Sequence, residues 1–232
     1  MPRTPRLAFI SDVHSNLEAL EAVLGDIGET ETYCLGDIVG YGASPNEVTG
    51  LLREKNVTCV LGNHDFAVLS GKVSEFNARA MQAVTWTIGV LSEENRQYLA
   101  GLPLNRTMSF EGEPVFMTHG SPDDNLWEYV SPATHSELFG FYLEKLGARA
   151  IALGHTHVPF AWEGREGIVF NPGSVGQPRN GDRCASYALL KSTRAGLAVE
   201  HRTVEYDVEK AARRIVEAGL PGALARRLFT GD

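Results

Sequence analysis

The chain's apolar positions alternate between two periods. Arg6–Ile10 is a short apolar run, as expected of a buried strand, and Leu17, Leu20, Leu24 and Ile27 then recur at helical spacing across Asn16–Ile27. Thr32–Leu35 and Val57–Leu61 are two further apolar runs. Between them, Ser44-Pro45-Asn46-Glu47 has a capping-box pattern with proline at the first helical position, which predicts a helix to about Lys55. Strands alternating with helices predict parallel pairing with helices packed on the faces. The middle changes character. Ser74–Leu99 predicts two helices, the second starting near Ser92, and Leu104–Phe110 with Pro114–Thr118 predict a hairpin across Glu111-Gly112-Glu113. Thr134 and Glu137 form a second capping-box pattern, opening a helix to about Leu146. Arg149–Leu153 is again an apolar strand, followed by short strands at Val158–Glu163, Ile168–Phe170, Ser186–Leu190 and Ala198–Glu205 and a closing helix at Val208–Ala218. No linker, low-complexity tract or repeat interrupts the pattern. Residues 1–232 therefore read as one α/β domain, two β-layers with helices outside.

Composition narrows the function classes. The 232 residues are 43% hydrophobic and 22% charged, as in ordinary globular proteins, and the chain is long enough to bury a core without disulfides. The 24 glycines point to many tight turns. No apolar stretch approaches the roughly 18 residues of a spanning helix, so no membrane partner is expected. After the basic start MPRTPR only Leu7–Ile10 are apolar, too few for a signal peptide, and a cytoplasmic location is expected. A net charge of −8 disfavours a broad footprint on duplex nucleic acid. It leaves room for a small phosphorylated substrate, because a bound metal supplies local positive charge. Cys34, Cys59 and Cys184 are odd in number and far apart, which favours structural thiols.

Chemistry-bearing residues cluster directly after the predicted strands. Asp12 and His14 follow the first, Gly36-Asp37 the second, and Gly62-Asn63-His64-Asp65 the third. Thr118-His119-Gly120 follows the hairpin, and Gly154-His155-Thr156-His157 follows Arg149–Leu153. Any one of these segments is explained by a helix cap or a turn. Together they hold five of the seven histidines, at the strand ends where open α/β sheets place their crevice. Imidazole and carboxylate donors suit divalent transition metals. On an extended segment, His155 and His157 would point to opposite sides and so serve two ions, and Asp37 is the natural carboxylate to bridge them.

This set of segments resembles the calcineurin-like metallophosphoesterases, over residues 7 to about 175. The resemblance implies a four-layer sandwich of two β-sheets flanked by helices, with two divalent metal ions per chain. It gives the first ion Asp12, His14, Asp37 and His157, and the second Asp37, Asn63, His119 and His155. Manganese is the first choice of ion, with iron, zinc, nickel and cobalt as alternatives, since ligand type does not separate them. In such a centre a bridging hydroxide attacks phosphorus in line. The resemblance places His64 beside the metals as the catalytic residue that stabilises the transition state or protonates the leaving oxygen. Asp65 either orients His64 or caps a helix. Asn171-Pro172-Gly173-Ser174-Val175 resembles a segment of the small bacterial and archaeal phosphodiesterases of the family, with a tight turn behind the ligands as its simpler role. The phosphoprotein phosphatase and symmetrical diadenosine tetraphosphatase branches carry arginine where this chain has Tyr41 and glutamate where it has Asp65, which favours the small phosphodiesterase branch.

The leading expectation is therefore a metal-dependent phosphodiesterase acting on a small phosphoester, a nucleotide among the candidates. A nucleotidase or dinucleoside-polyphosphate hydrolase is the alternative. An interaction scaffold of the same fold is the non-enzyme reading, which the intact ligand set opposes. Arg179 is a candidate for phosphate contact, as is Arg183. Ser121–Pro132 is long for a connection, and its Trp127 and Tyr129 are candidates for an apolar wall against the rest of the substrate or, alternatively, anchors of the loop. A homo-oligomer remains compatible with the sequence.

Overall fold

A computed structural model describes residues 4–232. Strand β1 (Arg6–Ile10) lies at the centre of a five-stranded sheet of order β10-β9-β1-β2-β3. It pairs in parallel with β2 (Thr32–Cys34), Ala8 opposite Thr32, and β2 pairs in parallel with β3 (Thr58–Cys59). The long strands β9 (Ala185–Thr193) and β10 (Gly196–Val204) complete this sheet as an antiparallel pair, with Leu189 opposite Ala8. A second five-stranded sheet has the order β4-β5-β6-β8-β7. In it the hairpin β4 (Asn105–Phe110) and β5 (Glu113–Thr118) adds β6 (Ala150–Ala152) and β8 (Ile168–Asn171) in parallel, with β7 (Phe160–Glu163) antiparallel at the edge. The hairpin turns on two residues, Glu111 at φ 53° and Gly112 at φ 85°. Positive φ at both positions is what a two-residue turn needs to match the strand twist.

The period of two in β1 divides its side chains between two interiors. Leu7 and Phe9 face the second sheet and join Tyr33, Leu35, Met117, Ile168 and Phe170 in an inter-sheet core. Phe9 meets Phe170 edge to face, with ring centroids 5.2 Å apart, a favoured aromatic geometry. Ala8 and Ile10 face outward, onto a helical layer that includes α1 (Leu17–Ile27) and α2 (Pro45–Glu54). Beyond the second sheet, α6 (Ser136–Leu146) covers Ile151 and Val169 with Phe139, Tyr142 and Leu143. The result is the expected order of helix, sheet, sheet, helix. The remaining helices are α3 (Asn63–Ser70), α4 (Ala78–Val90), α5 (Glu93–Ala100), α7 (Val208–Glu217) and α8 (Gly222–Arg227). No helix among the described residues is long and apolar enough to cross a membrane.

Local chemistry departs from the expected pattern at both capping boxes. Ser44 stands at the N-cap of α2 and proline occupies its first turn, but the serine side chain makes no capping bond. Asn46 is instead drawn to the opposite helix pair, where its Oδ1 accepts from Ser92 N–H at 2.8 Å and from Asn95 Nδ2 at 3.1 Å. Thr134 is outside its helix. Its hydroxyl accepts from Ser131 N–H at 3.0 Å, and α6 begins at Ser136. Helices α3 and α8 lie outside the predicted set. Cys34 and Cys59 are register partners on β2 and β3, buried as free thiols.

Candidate metal centre

The parallel strands of both sheets end on one side of the molecule, and each delivers its chemistry there. Asp12 and His14 leave β1, Asp37 leaves β2, and Asn63 and His64 open α3 just past β3. His119 leaves β5, and His155 and His157 leave β6. These eight side chains are all buried. Three groups offer ligand atoms lying within 4.8 Å of one another: Asp12, His14 and His157; His14, Asp37 and His64; and Asp37, His119 and His155. The sequence-predicted set is thus assembled around one point, with Asp37 in two of the groups. Its Oδ2 lies 3.6 Å from His14 Nε2 and 3.4 Å from His119 Nε2. Asn63 Oδ1 accepts from His119 Nε2 at 2.9 Å.

The backbone bends sharply to achieve this. Asp12, His14, Ser15, Asp37, Tyr41, His155 and His157 all have φ between 48° and 68°. Each such non-glycine residue costs on the order of 1 kcal/mol, so the surrounding structure must hold it there. His155 and His157 therefore do not alternate along an extended segment as the sequence suggested. Their consecutive left-handed turns, at φ 68° and 60°, send them to different groups by another route. Glycine is obligatory where two strand-end loops cross. A Cβ on Gly62 would lie 2.1 Å from Asp37 N, and one on Gly40 would lie 2.6 Å from His64 Nδ1.

Backbone carbonyls fix the histidine tautomers. Nδ1–H donates to Val39 O from His14 at 3.2 Å, to Leu35 O from His119 at 2.8 Å, and to Gln177 O from His157 at 2.6 Å. His155 is held the other way round, its Nε2–H donating to Trp127 O at 3.2 Å. For His14, His155 and His157 this leaves the other ring nitrogen as a lone pair facing inward, as ligating histidines are oriented, whereas His119 also donates from Nε2 to Asn63 Oδ1 and carries both ring protons until a cation displaces one. Two inward lone pairs meet: His14 Nε2 and His157 Nε2 are 3.1 Å apart. Burial drives both rings well below the usual histidine range, so neither carries a second proton. Asp12 Oδ1, 3.2 Å from His157 Nε2, is buried without a donor. A cation between these atoms satisfies all three, and the donor set fits a divalent metal.

The field of the cluster also seeks positive charge. Burial opposes ionisation of Asp37, but His119, His64 and His14 outweigh it and hold its carboxyl well below the usual range. Burial likewise disfavours a charged His119, yet the Asp37 carboxylate raises it to about 9. Asp12 is pushed up to about 7 by burial, against the pull of His119.

Second-layer contacts come from two further segments. Asn171 donates to Gly154 O at 2.5 Å and to Thr156 Oγ1 at 3.1 Å, while Ser174 Oγ donates to Asp12 O at 2.8 Å. The Asn171–Val175 turn thus braces the loops from β1 and β6, the simpler of its two expected roles. Asp65 accepts from Gly62, Ile38 and Val39 N–H at 3.0–3.2 Å. It caps the start of α3 and clamps the Asp37 loop, so the cap reading holds and the carboxylate does not orient His64. The His64 ring packs against Tyr41 and Phe76, at centroid distances of 4.5 and 4.6 Å, with Nδ1 buried and unpartnered. Burial drives it down to about 4.

Above the cluster lies a cleft of about 720 Å³. Trp127 and Tyr129 form part of its wall, as the sequence suggested, and the Tyr129 ring lies against that of His155, centroids 4.0 Å apart and planes tilted by 30°. Arg179 reaches the cleft, but Arg183 is exposed beside Cys184 and lines a separate depression. Phe76, Lys72 and Arg227 also line the cleft. Nothing in their sequence neighbourhood marks them, since none follows a strand.

Known proteins are similar to this chain in sequence and in fold. Residues 6–195 match the family model described as a calcineurin-like phosphoesterase superfamily domain. An uncharacterized protein of Methanocaldococcus jannaschii is 42% identical, across 97% of this chain and 98% of its own. Phosphodiesterase YfcE of Escherichia coli is 28% identical over 80% of this chain and 86% of its own. The crystal structure of a metallophosphoesterase from Sphaerobacter thermophilus superposes with a TM-score of 0.83 at 36% identity, over 99% of this chain and 100% of that one. With its fold, its clustered donors and a family match over most of its length, the chain belongs to the calcineurin-like phosphoesterase superfamily and is a phosphoester hydrolase.

Proposed function

We propose that the protein is a phosphodiesterase acting on small phosphoesters at a centre of two divalent ions. The observation that carries this reading is the pair of facing lone pairs on His14 and His157 beside the donorless Asp12 oxygen, an arrangement that calls for a cation. In this reading Asp12, His14, Asp37 and His157 hold one ion, and Asp37, Asn63, His119 and His155 the other. Bound there, two divalent ions supply charge for the phosphoryl oxygens and the acidity that makes water a nucleophile at neutral pH. His64, neutral and desolvated, donates its ring N–H to the phosphoryl group from the cleft floor. Trp127 and Tyr129 exclude water and receive the apolar part of the ester. The name of the Escherichia coli relative favours diesters over monoesters.

The test is hydrolysis of bis-p-nitrophenyl phosphate by protein stripped with EDTA and reloaded with Mn²⁺. Stripping is expected to lower turnover on the order of 10²-fold or more, and Mn²⁺ to restore it. Full activity after verified stripping, or none with any divalent ion, overturns the reading.

Metal affinity should also fall with acid. Ligands bind metal deprotonated, so the protons on His119 (about 9) and Asp12 (about 7) compete with the ions. Between pH 9 and 7 one proton is displaced, and below 7 two. Apparent Kd for Mn²⁺ is expected to rise by roughly tenfold per pH unit in the upper range and more steeply below it. Calorimetric titrations at several pH values check this, and a flat profile contradicts it.

A further inference from the structure

Two arginines from distant parts of the chain line the same cleft. Arg179 follows the turn after β8, and Arg227 ends α8. Arg179 lies over Tyr41, its guanidinium carbon 5.9 Å from the ring centroid, and Nη2 donates to Tyr41 Oη at 3.4 Å and Gln177 Oε1 at 3.2 Å. Its Nε–H is buried and has no acceptor. Arg227 donates from Nε to the main-chain oxygen of Asp232 at 2.6 Å. Neither guanidinium has an Asp or Glu side chain within ion-pair distance among the described residues.

This is an uneconomical way to place two cations. Burial and the Arg179 charge both push Arg227 below its ordinary value, so the two guanidinium groups repel each other. Asp232, whose main-chain oxygen Arg227 contacts, offsets part of that repulsion for Arg227, whereas Arg179 has only the neutral Tyr41 and Gln177 as partners. Lys72 lines the same cleft, as do the carboxylates of Glu75 and Asp124, neither of which is within ion-pair distance of either arginine. An anion that joins the two arginines relieves the repulsion and satisfies the free Nε–H, and a phosphate accepts guanidinium donors in parallel pairs. Arg179 also stands close to the cleft floor, because the Tyr41 ring it covers packs against His64 and His14, with centroids 4.5 and 4.7 Å apart.

We propose that Arg179 and Arg227 form a second anion subsite beside the metal centre. It holds a further phosphate of the substrate while the floor holds the scissile one. The preferred substrates are then phosphoesters with a second phosphate attached next to the first, as in a nucleoside diphosphate and its esters. This inference rests on the proposed function for the identity of the floor, and extends it from a phosphoester to a class of phosphoester.

The test compares AMP with α,β-methylene-ADP as competitors of bis-p-nitrophenyl phosphate hydrolysis, with Mn²⁺ in excess. Both carry the same base and ribose, so their ratio reads the second phosphate alone. Wild-type protein is expected to bind the diphosphate analogue at least about tenfold more tightly than AMP. Arg227→Gln and Arg179→Gln should each remove roughly tenfold of that preference, and Arg227→Lys should recover part of it. Equal Ki values for the two competitors in the wild type overturn the subsite, as does a Gln variant that weakens both competitors alike. If the wild type hydrolyses no phosphoester, the proposed function fails instead. Calorimetry with the same two nucleotides on the Mn²⁺-loaded protein then still decides the arginine pair.

Discussion

Asp37→Asn should leave the protein folded and nearly free of metal. Asp37 Oδ2 faces His14 on one side and His119 on the other, and no second carboxylate shares both neighbours. Asparagine keeps the oxygen that accepts His64 N–H at 2.8 Å, so the start of α3 stays anchored. What it removes is the charge. Without that charge His119 loses the partner that raises it, and the pull on a second cation disappears. Turnover is expected to fall on the order of 10³-fold or more, the scale of several kcal/mol of lost transition-state stabilisation. Elemental analysis should read close to zero ions per chain, and thermal melting should show a cooperative transition. By contrast, His14→Ala should weaken chiefly the ion shared with Asp12 and His157. An Asp37→Asn protein with two ions and full turnover would rule out the bridging role.

His64→Ala should behave in the opposite way, keeping its metal and losing its rate. His64 lines the cleft floor, yet its ring is spent on contacts with Tyr41, Phe76 and His14. The expected loss is about 10²–10⁴-fold in kcat, the range for one positioned acid, base or hydrogen-bond donor. Held down to about 4, His64 is neutral at pH 7 and is a poor proton donor but a sound N–H donor. The loss should therefore be similar for p-nitrophenyl and alkyl leaving groups. A loss confined to alkyl esters would show that His64 protonates the leaving oxygen.

Much of this site was legible because its residues are local to strand ends. A short apolar run followed by Asp-x-His or Gly-Asp is visible without any knowledge of pairing, and the strands predicted ahead of Asp12, Asp37, His119 and His155 are all present. Both sheets were expected for the same reason, since period-two and continuous apolar runs survive in one dimension. Backbone conformation was not legible. Left-handed His155 and His157 are not glycines, and tertiary bonds that no sequence pattern reveals, from Asn171, to Gln177 O, to Trp127 O and from His155 N–H to Asp12 Oδ2, hold their segment in place. The capping box at Thr134 failed because a tighter local turn used its hydroxyl, and at Ser44 the helix starts as expected without the side-chain bond. Arg227 was invisible because its place in the cleft depends on the C-terminal segment returning to the loop after Arg179, where Gly181 N–H donates to Gly231 O at 2.9 Å, and no local pattern encodes that return.

The donors of the centre are drawn from both sheets. Asp12 and His14 belong to the sheet of β1, and His157 to that of β6; Asp37 and His119 are divided in the same way. A bound ion therefore fastens one half of the sandwich to the other at the end where the two otherwise meet through loops. Its binding energy belongs to the assembly of the fold as well as to the reaction. Damage at any one ligand has two readings, a lost reagent and a loosened seam, and a variant's rate says little about catalysis until its rigidity has been measured.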